Sequence, residues 1–214
     1  MKHMHTSAFF SKDNFTKAKL ITAVAFIIFG SVSRYLLQDF PNIETITVVS
    51  LLAGSLLGGV WTIAVGLIVV AVTDMAIGNT IIFAYTWSAW AVMGFFGYAL
   101  RNREKKTIRH SLELTGMGLL GVLFFYVWTN FGVWHVGRLY PHTLAGLTAS
   151  YVAGIPFLKY QLLGTLMIVP VVSAAAIAVW NRVAQHVSAT QTASQHETAH
   201  ANAASTVYVT KGNK

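Results

Sequence analysis

Cysteine is absent from the 214 residues, which excludes a disulfide framework, a thiolate metal site and a cysteine nucleophile. Charge is scarce as well: 10% of the residues are Asp, Glu, Lys or Arg, against about a quarter in an ordinary soluble domain. Neither the phosphate-cradling pattern GxxxxGK[ST] nor an HExxH metal helix occurs. Energy for any work done must therefore come from outside the chain.

What is present is apolar. Hydrophobic residues make up 55% of the chain and the mean hydropathy is +0.57. A bilayer core of about 30 Å takes about 20 helical residues, because lipid offers a backbone amide no partner outside its own segment. The sequence predicts an all-α, polytopic membrane protein: a bundle of six transmembrane helices with a short outer capping helix. The predicted spans run from Lys19 to Leu37, as two short spans within Thr45 to Ile77 joined at Gly58-Gly59, and then from Ile81 to Leu100, Leu112 to Asn130 and Phe157 to Trp180. The chain then divides into a cytoplasmic N-terminal segment 1–18, a membrane domain 19–183 and a tail 184–214 whose Ala, Thr, Ser and His give little to bury, predicting disorder. A cleaved leader ending near Ser31-Val32-Ser33 is the competing reading and would leave five spans.

Basic residues give the orientation. Of 15 Lys and Arg, only Arg34, Arg138 and Lys159 fall on one face of the predicted bundle, and the rest, including Arg101, Arg103, Lys105, Lys106 and Arg109, fall on the other. The positive-inside rule then puts both termini in the cytoplasm of a multi-pass cell-membrane protein. These basic residues adjoin spans without aromatic interleaving, so no nucleic-acid partner is expected.

Charge at the centre of a span is costly, and pumps keep it for their mechanism. None is found here. Arg34 and Asp74 sit in the outer thirds of their spans, where snorkelling or mutual pairing would satisfy them, so a charge-relay transporter is not expected. The informative residues gather on the outer side. Between Gln38 and Thr45, Pro41 fixes the backbone while Asn42 and Glu44 offer hydrogen-bonding groups. Such a segment serves as a ligand loop or as a helix-capping turn. Tyr85, Trp87 and Trp90 form either an aromatic belt or a stacking wall for a flat ligand.

From Asn130 to Pro156 the chain is too apolar for a free loop and too short for two further spans, which predicts a lid. Within it, Leu144, Leu147 and Tyr151 at helical spacing mark a capping helix from Thr143 to Ala153. His135 and His142 flank Pro141, a weak arrangement for a metal and an ordinary one for interfacial histidines. His3, His5, His186, His196 and His200 lie in the tails, where nothing fixes their spacing; no metal, cofactor or catalytic residue is expected. Gly54, Gly58, Gly66, Gly94, Gly97, Gly116, Gly118 and Gly121 serve close helix packing within the bundle or docking onto another subunit.

A longer pattern runs through these pieces. It comprises the Pro-Asn loop, Leu51-Leu52-Ala53-Gly54-Ser55-Leu56-Leu57-Gly58-Gly59, Val65-Gly66 with Asp74, Tyr85-Thr86-Trp87-Ser88-Ala89-Trp90 and Met93-Gly94-Phe95-Phe96-Gly97. Further on come Thr129-Asn130-Phe131-Gly132-Val133-Trp134, Tyr140 to Leu147 and Ile155-Pro156-Phe157. Together, from Arg34 to Leu163, they resemble the substrate-binding S components of energy-coupling factor (ECF) transporters, in an S-component-like family of unassigned substrate. The resemblance implies a membrane subunit, not itself an enzyme, that captures a vitamin-like small molecule on its outer face. A transmembrane coupling subunit and a cytoplasmic ATPase pair would then release the ligand inside.

Carried onto this chain, the resemblance implies a pocket of Asn42, Glu44, Tyr85, Trp87, Trp90, Asn130, Trp134, His135, Arg138 and Tyr151. A corrin-like or thiamin-like vitamin would use the indoles, and an anionic one Arg34 or Arg138. The small-residue docking pattern of the first helix is departed from, since Ala18 and Thr22 are followed by the bulky Phe26. Two other classes remain open: a membrane-embedded enzyme acting on a lipid through His135, His142 and Asp74, and a structural or assembly subunit without a small ligand.

Overall fold

The computed structural model describes residues 12–40 and 42–211, with side chains described for 16–40 and 42–185. His3, His5 and the side chains of His186, His196 and His200 lie outside the described residues. The described residues are all helical or connecting, with no strand among them. Six α-helices follow one another: α1 (Lys12–Leu36), α2 (Ile46–Leu52) continued by a π-helical turn (Ala53–Leu57), α3 (Trp61–Ile77), α4 (Phe83–Tyr98), α5 (Thr107–Val136) and α6 (Leu144–Lys211). Two compact units result, Lys19–Ile177 and a smaller one from Met1–Ala18 with Ala178–Lys214. Of the smaller, the structure describes the ends of α1 and α6.

Three stretches are long and apolar enough to cross a membrane: Thr16–Leu36, Thr107–Val136 and Leu144–Gln185. Ile46–Leu57 and Trp61–Ile77 are apolar but shorter. The long helices expose their apolar side chains, among them Ile21, Ile28, Leu112, Met167 and Val171, as surfaces that face lipid do. In contrast, every residue of α2 and its π-helical turn is buried. A helix apolar or small on all sides belongs at the centre of a bundle, and here the larger unit is built around it.

Small residues let its neighbours close in. A Cβ on Gly54 would collide with the Gly94 carbonyl, one on Gly97 with the Leu51 carbonyl, and one on Gly94 with the Thr62 carbonyl. With no hydrophobic drive between helices in lipid, such approach supplies van der Waals contact in its place. Both readings of the glycines remain compatible with Gly116, which faces open space, but these contacts are within the chain.

The Gly58-Gly59 turn expected from sequence is present, with φ of +62° and +59°. Gly58 is required twice over. Its ψ of −169° with positive φ is open to glycine almost alone, and a Cβ there would occupy the place of the Arg101 guanidinium, which donates to the Leu57 carbonyl at 2.9 Å.

Two expectations fail in detail. The capping helix from Thr143 to Ala153 is no separate element: it is the first turns of α6, which runs on through Pro156 and Pro170. An internal proline forfeits one backbone bond, a loss that apolar helices tolerate where neighbours satisfy the freed carbonyl. Near the second proline α5 and α6 are also joined directly, the Ser111 hydroxyl donating to the Pro170 carbonyl at 2.9 Å. The lid also shrinks. α5 continues past Asn130 to Val136, so Phe131, Trp134 and His135 are helical and only residues 137–143 leave the helix.

Candidate functional site

Asp74, in the last turn of α3, gathers three donors. Arg34, in the last turn of α1, donates Nη1 to its Oδ1 at 2.7 Å and also reaches the Thr73 hydroxyl. Asn79 Nδ2 and the Trp87 indole Nε1 both donate to Oδ2, at 2.7 and 2.8 Å. The Asp74 side chain is 8% exposed and that of Arg34 25%. Hence the carboxylate has left water but is repaid by charge-assisted bonds from three elements. Of the alternatives open from sequence, mutual pairing is the one found.

Glu44 performs a different task. Its Oε2 accepts the Thr47 amide at 2.9 Å and its Oε1 the Thr47 hydroxyl at 2.5 Å, so the side chain closes the start of α2 against the partial positive charge there. Burial raises the carboxyl above the usual carboxylate range, against the opposing pull of the Thr47 hydroxyl and amide, the Ile46 amide and the Arg34 guanidinium. The capping reading thus describes Glu44. Asn42 turns the chain into this cap with a left-handed φ of +59°, a conformation asparagine tolerates better than most.

Between these two features lies a cavity of about 300 Å³. Its lining is mixed: Arg34, Gln38, Asn42, Glu44, Asp74, Asn79 and Thr86 are polar, the exposed Phe40 and Ile77 apolar, and the buried Ile46, Val70 and Trp90 apolar with Phe125 beside them. Trp90 and Phe125 touch each other with ring centroids 4.6 Å apart. Three of the residues expected from sequence, Asn42, Glu44 and Trp90, line it. Trp87 joins them through Asp74. Arg34, named from sequence only for an anionic ligand, lines it too, whereas Gln38, Phe125 and the α3–α4 connection were missed as site residues. Arg34 carried a signal, being a charged residue near a span end, whereas Phe125 is one apolar residue among many.

The other expected residues stand elsewhere. The Tyr85 hydroxyl hydrogen-bonds His135 Nδ1 at 2.6 Å, and its ring meets Trp128 and Phe131. Phe131 stacks on His135, Trp134 donates to the Pro141 carbonyl at 3.1 Å, and His142 packs edge-on against Trp134. Asn130 Nδ2 donates to the Tyr126 carbonyl and the Tyr151 hydroxyl to the Val127 carbonyl. Arg138 is exposed. None of these six lines the cavity. Asp74, His135 and His142 likewise have separate partners, which leaves an acid–base trio unassembled. Among the described residues no three His, Cys, Asp or Glu gather as a metal site.

One polar cluster escaped the sequence altogether. His110, fully buried in the first turn of α5, bonds the Ser55 hydroxyl of the π-helical turn at 2.6 Å, with Glu113 Oε2 3.4 Å from its Nδ1. Ser–His–Glu is the order of a nucleophile, base and orienting acid. However, Ser55 is 1% exposed and none of the three lines the cavity, so the cluster ties the π-helical turn to α5. The only hint was an acid three residues after a histidine. Nearby, Lys105 Nζ donates to the carbonyls of Leu100, Arg101 and Arg103 at 2.7–3.0 Å. Burial, then the Arg101 charge, depress its ammonium to about 8.

Residues 14–189 match a family of unknown function (DUF6580), and the chain belongs to that family. No curated protein and no solved structure matches it.

Proposed function

We propose that this chain, as a member of that family, is the substrate-capture membrane subunit of an ECF-type micronutrient importer. It holds a vitamin-like small molecule in the cavity between the α1–α2 and α3–α4 connections, and ATP hydrolysis is supplied by a coupling subunit and its ATPase pair. In this reading α1 to α6 are six spans, with both termini cytoplasmic and the cavity facing outward. The observation that carries it is the cavity itself, lined by apolar and aromatic side chains with a few polar groups among them, the lining that small-molecule sites favour.

Further support comes from where the charges lie. The cavity is at the start of α4, whereas Arg101, Arg103, Lys105, Lys106 and Arg109 follow its end, which agrees with a cytoplasmic α4–α5 connection. A volume of about 300 Å³ lies at the lower bound of ligand pockets, about 300–1,000 Å³. It favours compact thiamin-sized compounds over a corrin.

The test is purification from the native membrane followed by mass spectrometry of co-purified small molecules. One compact micronutrient at close to one per chain is the expected result. Its absence, together with no melting shift from any candidate vitamin, overturns the reading in favour of a structural subunit.

A further inference from the structure

The hydrogen-bonding capacity of the cavity is unevenly spent. Both Asp74 oxygens are engaged by Arg34, Asn79 and Trp87, and both Glu44 oxygens by Thr47. Arg34 is different. Its bonds to Asp74 and Thr73 both leave from Nη1, and among the described residues its Nε and Nη2 have no partner. These two nitrogens form the planar fork that fits a carboxylate with two parallel bonds. The Arg34 side chain is 25% exposed and lines the cavity, so the fork is within reach of a ligand there. Arg138, the other cation suggested by sequence for an anion, is not in the lining.

The same lining includes the Trp90–Phe125 ring pair, which suits a flat apolar body. Resting on the capture reading above, we propose that the cavity selects a compact, ring-bearing monocarboxylate, its carboxylate seated on the Nε–Nη2 edge of Arg34 and its ring over Trp90 and Phe125. Asp74 positions the guanidinium by holding Nη1. Glu44, whose carboxyl burial raises, adds less negative charge against such a ligand than an ordinary carboxylate would.

The experiment is thermal unfolding of the full chain in phosphatidylcholine nanodiscs with benzoate, benzamide or benzylamine, three probes of one shape and different charge. Benzoate alone is expected to raise the melting temperature with dose. Arg34→Lys, which keeps the charge but loses the fork, is expected to weaken benzoate by about tenfold or more. Thr86→Phe, which narrows the cavity and leaves Arg34 and Asp74 in place, is expected to do the same and serves if Arg34→Lys fails to fold.

Equal or better binding of benzamide or benzylamine overturns the carboxylate assignment while leaving the capture reading intact. Benzoate affinity unchanged in both variants, or no shift with any probe, also overturns it; the capture reading is then judged by co-purification alone. Replacing part of the phosphatidylcholine by phosphatidylglycerol separates a lipid source of the anion: an Arg34-dependent shift from that lipid without benzoate assigns the fork to a headgroup and overturns the proposal.

Discussion

The Trp87 indole on α4 donates to the same Asp74 oxygen that receives Asn79, at 2.8 Å. An aromatic residue that a belt or a stacking wall would explain is thus a hydrogen-bond donor to the only acid of α3. Through Asp74 it ties α4 to α3, and Arg34 ties both to α1.

Removing Asp74 leaves the Arg34 charge half-buried without its counterion. Asp74→Ala is expected to cost about 2 kcal/mol of stability, less than a fully buried pair because Arg34 keeps some solvent. Arg34→Ala adds little on that background: a double-mutant cycle by thermal unfolding should show coupling of about 1 kcal/mol or more. Additive losses would show that the two do not act as a pair.

Gly58→Ala combines an unfavourable backbone conformation, about 1–3 kcal/mol, with displacement of the Arg101 guanidinium from the Leu57 carbonyl. Adding Arg101→Ala relieves the collision but not the backbone strain. The double variant should therefore be more stable than Gly58→Ala plus the separate cost of Arg101→Ala predicts, as measured by melting temperature in detergent.

Lys105 gives stability a slope on the alkaline side. Its folded value of about 8 lies below the ordinary lysine value of 10.5, so above pH 8 the folded state sheds a proton that the unfolded state retains, and stability rises with pH towards 10.5. The contribution is lost as pH falls through about 8. Lys105→Gln should flatten this rise in melting temperature between pH 8 and 10.

Glu44 has the opposite sign. Burial holds its folded carboxyl above the ordinary value of 4.5, so its contribution is complete below that pH and is lost as pH rises through the folded value. Measured against Glu44→Gln, which does not titrate, wild-type stability should decline from pH 4.5 upward. A difference that stays constant with pH would refute the assignment.

Occupancy by the co-purified small molecule separates the two aromatic regions. Trp90→Leu, in the cavity lining, should reduce it by about tenfold. Tyr85→Phe and Trp134→Ala, in the α4–α5 aromatic band, should leave it at the wild-type level.

The elements were largely legible and their facing was not. Composition showed the apolar, all-helical character, Gly58-Gly59 the turn, and the placing of Arg34 and Asp74 in the outer thirds of their helices left pairing open beside snorkelling. Tyr85 and Trp87, however, are two residues apart on a helix and point to different neighbours, one to His135 and the other to Asp74; a cluster in sequence became two sites in space. The segment from Asn130 to Pro156 reads as a lid and the last span as starting at Phe157, yet α6 runs through Pro156 without a break. Ser55 and His110, far apart in sequence, meet where the π-helical turn packs against α5, a local change of helical pitch that periodicity does not announce.

The enclosure of α2 bears on how such a protein is made. A segment whose every residue is covered by other helices, and which carries Thr47, Ser50 and Ser55 among them, has little reason to settle alone in hydrocarbon. It gains its surroundings only when its neighbours close round it. In the proposed six-span arrangement, insertion of this stretch is coupled to assembly, and a substitution in the outer helices that slows their closure would strand it before folding is complete.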